Sequence, residues 1–271
     1  MKAWDWKSYQ RVVVLTGAGI SQASGLRTFR DANGLWENHR IEDVATPEAF
    51  ARDPQLVWRF YSLRRLAAGE AKPNPAHRAL DRFAASFSGD LTLVTQNVDG
   101  LHARARAEGH LDALCMHGTL EQSRCTHCGH VWWDDAAWVG PGGIQSANLL
   151  STEQLASPEA LAQYSVQLRD GLPLSPCCNE LLRPHIVWFG EEPFGMARIL
   201  RSVEDCDLFV SIGTSGVVYP AAAFLEIAKE AGATTVVLNV EAIPQQRHVD
   251  HFIQGAAEVS VPAFFNLSSR C

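Results

Sequence analysis

The chain has 271 residues, with 30 Asp and Glu against 23 Lys and Arg, a formal charge of −7. Apolar types make up 46% of it and charged types 20%, enough apolar surface to offset the entropy of ordering, so a disordered chain is excluded. No run approaches the ~18 uninterrupted apolar residues of a membrane span. The stretch Met1–Trp6 holds no apolar signal core, and the acidic balance excludes the basic face of a general nucleic-acid binder. The expectation is a cytoplasmic, monomeric globule with no membrane or nucleic-acid partner.

Arg11–Thr16 is a nearly continuous β-branched run, the pattern of a parallel strand covered on both faces. It closes on Gly17-Ala18-Gly19, where a backbone without side chains can approach a phosphate, helped by amide N–H groups and a helix N-terminus. The next glycine is Gly25 rather than residue 22, which departs from the dinucleotide fingerprint of ordinary dehydrogenases. Ser21 to Arg30 is too polar for a packed helix start; it reads as a loop over a ligand, with Arg30 available to a phosphate, or as a plain surface loop. Residues 40–72 read as helical and rich in Arg and aromatics, and Pro75–Ser86 has helical periodicity.

A second strand, Leu91–Thr95, runs into Gln96-Asn97-Val98-Asp99-Gly100-Leu101-His102. Amides, a carboxylate and an imidazole crowded at a strand end either cap a loop or bind ribose hydroxyls and a carboxamide. His117 follows; neutral imidazole near pH 7 is the usual general base, although a lone histidine is commonly structural. Asp207–Ile212 and Thr234–Leu238 repeat the strand grammar, ending in Gly213-Thr214-Ser215-Gly216 and in Asn239, with a helix over 220–232 between them. Strand, polar turn and helix in repetition predict a doubly wound α/β sheet whose ligand lies beyond the strands' carboxyl ends.

Seven cysteines, an odd number without an export signal, argue against a disulfide scaffold. Cys115, Cys206 and Cys271 stand alone, as small apolar residues or a terminal thiol. Cys125-Thr126-His127-Cys128 is a half-site for zinc, since two thiolates so spaced reach adjacent corners of a tetrahedron. Its complement is Cys177-Cys178, whose adjacency strains ligation of one ion, so His127, His130 or water are alternative ligands, and metal-free thiols are the competing reading. A structural role is preferred to a catalytic one.

Together, Gly17-Ala18-Gly19-Ile20-Ser21, Ser24-Gly25, Phe29-Arg30, Thr95 to His102, His117-Gly118, Cys125-x-x-Cys128, Leu182 to Glu191 and Gly213-Thr214-Ser215 resemble the sirtuin family of NAD-dependent protein lysine deacylases. The resemblance spans most of the chain. It implies a Rossmann-like unit (1–39, 73–120 and 183–271) and a smaller one made of a helical module (40–72) and a zinc-binding module (121–182). By matching motif, Gly17, Ala18, Gly19, Ser21, Phe29, Arg30, Trp36, Gln96, Asn97 and Asp99 would contact NAD, Gly213, Thr214 and Ser215 its phosphate-ribose part, and Asn239 with Ala257 its adenosine end. His117 would be the general base, with Asn97 and Asp99 also catalytic, and Cys125, Cys128, Cys177 and Cys178 would hold zinc. Acylated lysine of a protein would pair its backbone with Val187, Phe189, Gly190 and Glu191 on one edge and Val217 on the other.

Tyr61 and Arg64, three apart on a helix, share a face suited to an anionic carboxylate, and small Ala45 leaves room for an acyl chain. These positions resemble the sirtuin subgroup that removes succinyl, malonyl or glutaryl groups; an ordinary amphipathic helix with a solvated Arg is the competing reading. The chain departs from the family at Arg104-Ala105-Arg106, where Ala-Gly is usual, and in its long interval between cysteine pairs. Two other functions stay open: mono-ADP-ribosyl transfer on the same NAD site, and a non-enzymatic NAD and zinc sensor.

Overall fold

The computed structural model describes residues 4–27, 39–107, 111–133 and 167–266. Strand β1 (Arg11–Thr16) buries every residue after the first, as its unbroken apolar run requires. It pairs in parallel with β2 (Asp90–Thr95), which in turn pairs with β3 (Ala113–Cys115).

A second sheet comprises β4 (Gly118–Cys125), β5 (Val131–Trp133) and β8 (Leu182–Ile186), antiparallel in the order β5-β4-β8, beside a ribbon of β6 (Leu168–Arg169) and β7 (Leu172–Pro173). The chain then returns through β9 (Leu208–Ile212), β10 (Thr234–Asn239) and β11 (His251–Gln254) to complete a six-stranded parallel sheet ordered β11-β10-β9-β1-β2-β3. The strand order reverses between β1 and β9, the kind of switch point at which open parallel sheets bind ligands beyond their carboxyl ends.

The sequence reading found four of these six strands and missed the two edges. β3 is half-buried along its length and β11 is largely exposed, so neither shows the apolar run that marks the centre. The expected helix over 220–232 is a 3-10 turn (Ala221–Ala223) leading into a shorter α-helix (Phe224–Glu230).

Helices of the second sheet are α1 (Ile41–Val44), α2 (Pro47–Arg52) and α3 (Pro54–Glu70). Thr46 caps α2 by accepting from Ala49 N at 3.0 Å, and Asp53 caps α3 by accepting from Leu56 N at 2.9 Å. Proline follows each cap at the first helical position, where a missing N–H costs nothing. These helices and the antiparallel sheet share one apolar cluster that includes Val44, Phe50, Trp58, Phe60, Tyr61, Leu182 and Trp188. The indole of Trp58 donates to Leu182 O at 2.9 Å, tying α3 to β8.

The parallel sheet is covered on one face by α4 (Pro75–Ser86), through Leu80 and Phe83, and by the C-terminal helix (Ala257–Phe264) through Val261 and Phe264. On the other face Ile199, Val203, Phe224 and Ala228 cover Val13, Leu15 and Phe209. Asn74 begins α4 by accepting from Ala76 N at 2.9 Å, and its amide donates to Ile20 O at 2.7 Å. One side chain thus fixes both a helix start and the turn after β1. No described helix is long and apolar enough to cross a membrane.

Candidate active site

The turn after β1 lies against the turn after β9. Gly17 N donates to Ile212 O at 3.0 Å and Gly19 N to Gly213 O at 2.8 Å. A methyl group on Gly19 would stand 2.7 Å from Gly213 Cα, and one on Gly213 2.5 Å from Ile20 N. Gly213 also has φ +60°, a left-handed conformation that glycine adopts without penalty. The segment after Gly17, whose part from Ser21 was read as a loop, is a 3-10 helix as far as Ser24 (Ala18–Ser24), so the helix start there is a short, tight turn with a correspondingly small dipole.

Side chains from the neighbouring strand ends stitch this cradle. The Gln96 amide donates to Thr214 Oγ1 at 3.1 Å and the Asn239 amide to Thr214 O at 2.9 Å. Asn97 donates to Gly17 O at 3.1 Å and to Ser21 Oγ at 3.2 Å. Ser21 in turn donates to Asp99 Oδ2 at 2.7 Å, and Leu101 N donates to Oδ1 at 2.9 Å. Burial pushes the Asp99 carboxyl above its ordinary value, opposed by the Ser21 and Leu101 donors. The structure therefore gathers Gly17, Gly19, Ser21, Gln96, Asn97, Asp99, Gly213, Thr214 and Asn239; Ala18 is half-buried, Ser215 is exposed and Ala257 is buried at the start of its helix. Phe29, Arg30 and Trp36 lie outside the described residues.

His117 precedes β4, and its Nδ1 lies 3.0 Å from Gln96 O. A carbonyl only accepts, so Nδ1 carries the proton and Nε2 keeps its lone pair. Burial lowers the imidazole pKa, partly offset by that hydrogen bond, and keeps the ring neutral at pH 7. His102, grouped with the polar loop by sequence, lies in the interior instead. Its Nε2 is 3.0 Å from Thr16 Oγ1, its ring meets His77 edge-on at 4.9 Å, and burial holds its pKa down to about 4.

Cys125, Cys128, Cys177 and Cys178 bring their four sulfurs within 4.8 Å of one another. Four thiolates around one zinc stand about 3.8 Å apart at the usual Zn–S length, so the set fits a closed tetrahedral site. The adjacency of Cys177 and Cys178 is accommodated because both lie on the turn between the bridged residues Leu174 and Leu181. His130 instead packs on Trp132 at 4.4 Å.

On α3, Tyr61 is fully buried, and its hydroxyl accepts the Trp188 indole N–H at 3.0 Å. Burial drives its pKa well up, so it is a neutral phenol. Arg64 lies one turn on, its guanidinium 3.3 Å from the Phe60 ring centre and donating to Phe60 O at 2.9 Å. Ala45 is buried and its carbonyl accepts from Phe189 N at 3.0 Å. Val187 N donates to His117 O at 2.9 Å, while Phe189, Gly190 and Val217 are exposed. The Glu191 carboxylate takes Arg183 at 2.6 Å, Arg124 at 2.7 Å and Trp188 N at 2.8 Å, which holds its pKa below the usual range against the opposing effect of burial.

Residues 17–220 match the model of the Sir2 family. The chain belongs to that family. It is 44% identical over 258 residues to an NAD-dependent protein deacylase of Shewanella oneidensis, covering 94% of this chain and 92% of that one. Among solved structures it resembles a Sir2 homologue–NAD complex with TM-score 0.76 and 33% identity, over 96% of this chain and 90% of that one. It also resembles an ADP-ribose complex of a Sir2 homologue S24A mutant, with TM-score 0.77 and 34% identity over 95% and 91% of the two chains.

Two residues of this Sir2 chain escaped the sequence reading as site-builders. Arg104, noted there only as a departure, donates to Asp99 O and Ala68 O at 2.7 Å each and to Ala71 O at 3.1 Å, tying the end of α3 to the Asp99 loop. Trp188 was read only as part of the segment that pairs with a substrate backbone, not as the partner of Tyr61. Nothing local marks either, because Ala68 and Ala71 lie more than 30 residues from Arg104 and Tyr61 lies 127 from Trp188.

Proposed function

We propose that this Sir2 chain, an NAD-dependent protein deacylase, favours acidic acyl groups such as succinyl and malonyl over acetyl on lysine. The Tyr61 and Arg64 pair carries that reading: a neutral phenol and a guanidinium on one helix face match a carboxylate with a donor fork and a second hydroxyl donor. Cys125, Cys128, Cys177 and Cys178 would hold a structural zinc that secures the antiparallel sheet.

NAD, whose complex with a similar Sir2 homologue is known, would supply when bound a sugar carbon that releases nicotinamide as it takes the acyl oxygen and a sugar hydroxyl that attacks the acyl carbon, so that with one water consumed the lysine C–N bond breaks and the products are O-acyl-ADP-ribose and free lysine. The protein's own contribution is orientation and proton transfer. Gly17, Gly19 and Gly213 let main chain approach the phosphates, and Gln96, Asn97 and Asp99 bind the ribose and carboxamide end. His117 Nε2, neutral and unprotonated, accepts the proton of a ribose hydroxyl, while Gln96 O holds the ring through Nδ1. The exposed edge at Phe189 and Gly190 pairs with the substrate backbone, giving affinity with little sequence preference.

The test compares nicotinamide release from succinyl-lysine and acetyl-lysine versions of one peptide, for wild type and Arg64→Met, with products identified by mass spectrometry. The expected result is O-succinyl-ADP-ribose and a kcat/KM favouring succinyl. Arg64→Met should lose about 10–100-fold on succinyl, the worth of a hydrogen bond to a charged group, and under 3-fold on acetyl. Equal losses on both peptides overturn the acidic preference, and ADP-ribosylated protein without the acyl product overturns deacylation.

A further inference from the structure

A single amide joins the start of α4 to the turn after β1. Asn74 Oδ1 accepts from Ala76 N at 2.9 Å, while Nδ2 donates to Ile20 O at 2.7 Å and to Ser24 Oγ at 3.1 Å. A main-chain N–H only donates and a carbonyl only accepts, so one orientation of the amide satisfies all three partners. Asn74 is 6% exposed and Ile20 wholly buried, so water does not stand in for the bond between them. We propose that Asn74 is a positioning residue for NAD binding, gripping the Ala18–Ser24 turn so that its main chain keeps the shape that receives the cofactor. The proposal rests on the reading of this turn as part of the NAD site.

The turn needs an outside support. Seven residues is long for a 3-10 helix, whose poorly aligned hydrogen bonds seldom sustain more than three or four. From the end of β2, Asn97 donates to Gly17 O at 3.1 Å and to Ser21 Oγ at 3.2 Å. From α4, Asn74 takes a carbonyl between those two points, Ile20 O, and the hydroxyl of the turn's last residue. Asn74 is itself fixed, since its N–H donates to His77 Nδ1 at 3.4 Å and its carbonyl accepts from Arg78 N at 3.3 Å. Its side chain therefore starts from the first turn of α4, and the Ile20 side chain shares an apolar cluster with Ala76, Leu80 and Phe83 of the same helix. Gly19, one residue before Ile20, donates to Gly213 O at 2.8 Å. A shift at Ile20 thus passes directly to the contact between the two glycine turns.

Two substitutions separate this grip from the helix cap. Asn74→Asp and Asn74→Ser both keep a good cap for α4. An ionised carboxylate offers Ile20 O no donor, and a serine hydroxyl engaged at the cap is too short to reach Ile20 and Ser24. Ala85→Gly, at the exposed far end of α4, is the control for a weakened helix. Each protein is assayed for Tm, for kcat and the KM of NAD and of an acetyl-lysine peptide, for ADP-ribose affinity by calorimetry, and for amide exchange with and without ADP-ribose. Both Asn74 variants should raise the NAD KM and the ADP-ribose Kd about 10-fold, the worth of one or two buried hydrogen bonds. Loss of binding alone leaves kcat and the peptide KM nearly unchanged. Without ligand, amides of residues 20–25 should exchange faster while those of residues 80–86 keep their protection. Ser24→Ala, which removes only the longer bond, should have a smaller effect and add nothing to Asn74→Ser. If the NAD KM and the ADP-ribose Kd stay at wild-type values, the positioning role is overturned while the NAD-site reading stands. A joint decline of kcat and both KM values in step with Tm, or an equal rise of the NAD KM in Ala85→Gly, overturns it too. If ADP-ribose fails to slow exchange across residues 18–24 of the wild type, the turn is not part of the NAD site and the proposal falls with that reading.

Discussion

At the turns after β1 and β9, the proposed nucleotide end, the backbone itself makes the surface, with Gly19 and Gly213 so close that a methyl group on either would sit within 2.7 Å of the other turn. At the proposed acyl end the structure is made by long side chains, buried Tyr61 and Trp188 and half-buried Arg64, held by indole, guanidinium and carboxylate contacts. The difference sets how each end responds to change. Main-chain approach tolerates no added atoms, so substitutions there act on every substrate. Side-chain contacts can be removed one at a time, so under the proposed function substitutions there should separate one acyl group from another.

The largest expected effect tests the first half of that contrast. Gly213→Ala places a methyl 2.5 Å from Ile20 N at φ +60°, and NAD-dependent turnover of both peptides should fall at least ~100-fold, in line with several kcal/mol of clash and strain. A ratio of succinyl to acetyl activity that changed with it would break the contrast. His117→Gln should come next, lowering kcat by about 10²–10⁴-fold on both peptides with little change in Tm. Because burial places the His117 pKa below its ordinary value, wild-type kcat/KM should be flat between pH 7 and 8. Its acid limb should begin only below the usual imidazole pKa of about 6.5, and the His117→Gln enzyme should lack that limb.

The last prediction concerns stability rather than turnover, in the layer under the turns after β1 and β2. His102 titrates near 4 when folded and near 6.5 when unfolded, so between those values the unfolded chain binds more protons. Its contribution is complete above about pH 6.5 and is lost as pH falls towards 4, a decline on the order of 3 kcal/mol. Denaturant midpoints across that range measure it, and amide exchange should quicken at Gly17–Ser21 before Val187–Phe189. The opposite order would show that both ends rest on one cooperative support.

The same contrast explains what could be read without coordinates. Strands at the sheet centre advertise themselves: Val12, Val13 and Val14 are each at most 2% exposed, and burial on both faces demands an apolar run. The glycines and the Gln96-Asn97-Val98-Asp99 turn were legible because close approach and polar crowding are local demands on residue type. Edge strands β3 and β11 were not, since half-exposed residues carry no such demand. Adjacent Cys177 and Cys178 looked strained because a bare spacing says nothing of the turn that carries them. Trp188 and Tyr61 are 127 residues apart, and a hydrogen bond over that span leaves no trace in either neighbourhood.

Gln96 faces two ways: its main-chain oxygen receives His117 Nδ1, and its side-chain amide grips Thr214. The imidazole and the β9 loop therefore share an anchor. If that loop cradles the sugar as proposed, the sugar arrives in register with the ring proposed to deprotonate it, and the ring is already oriented by Gln96.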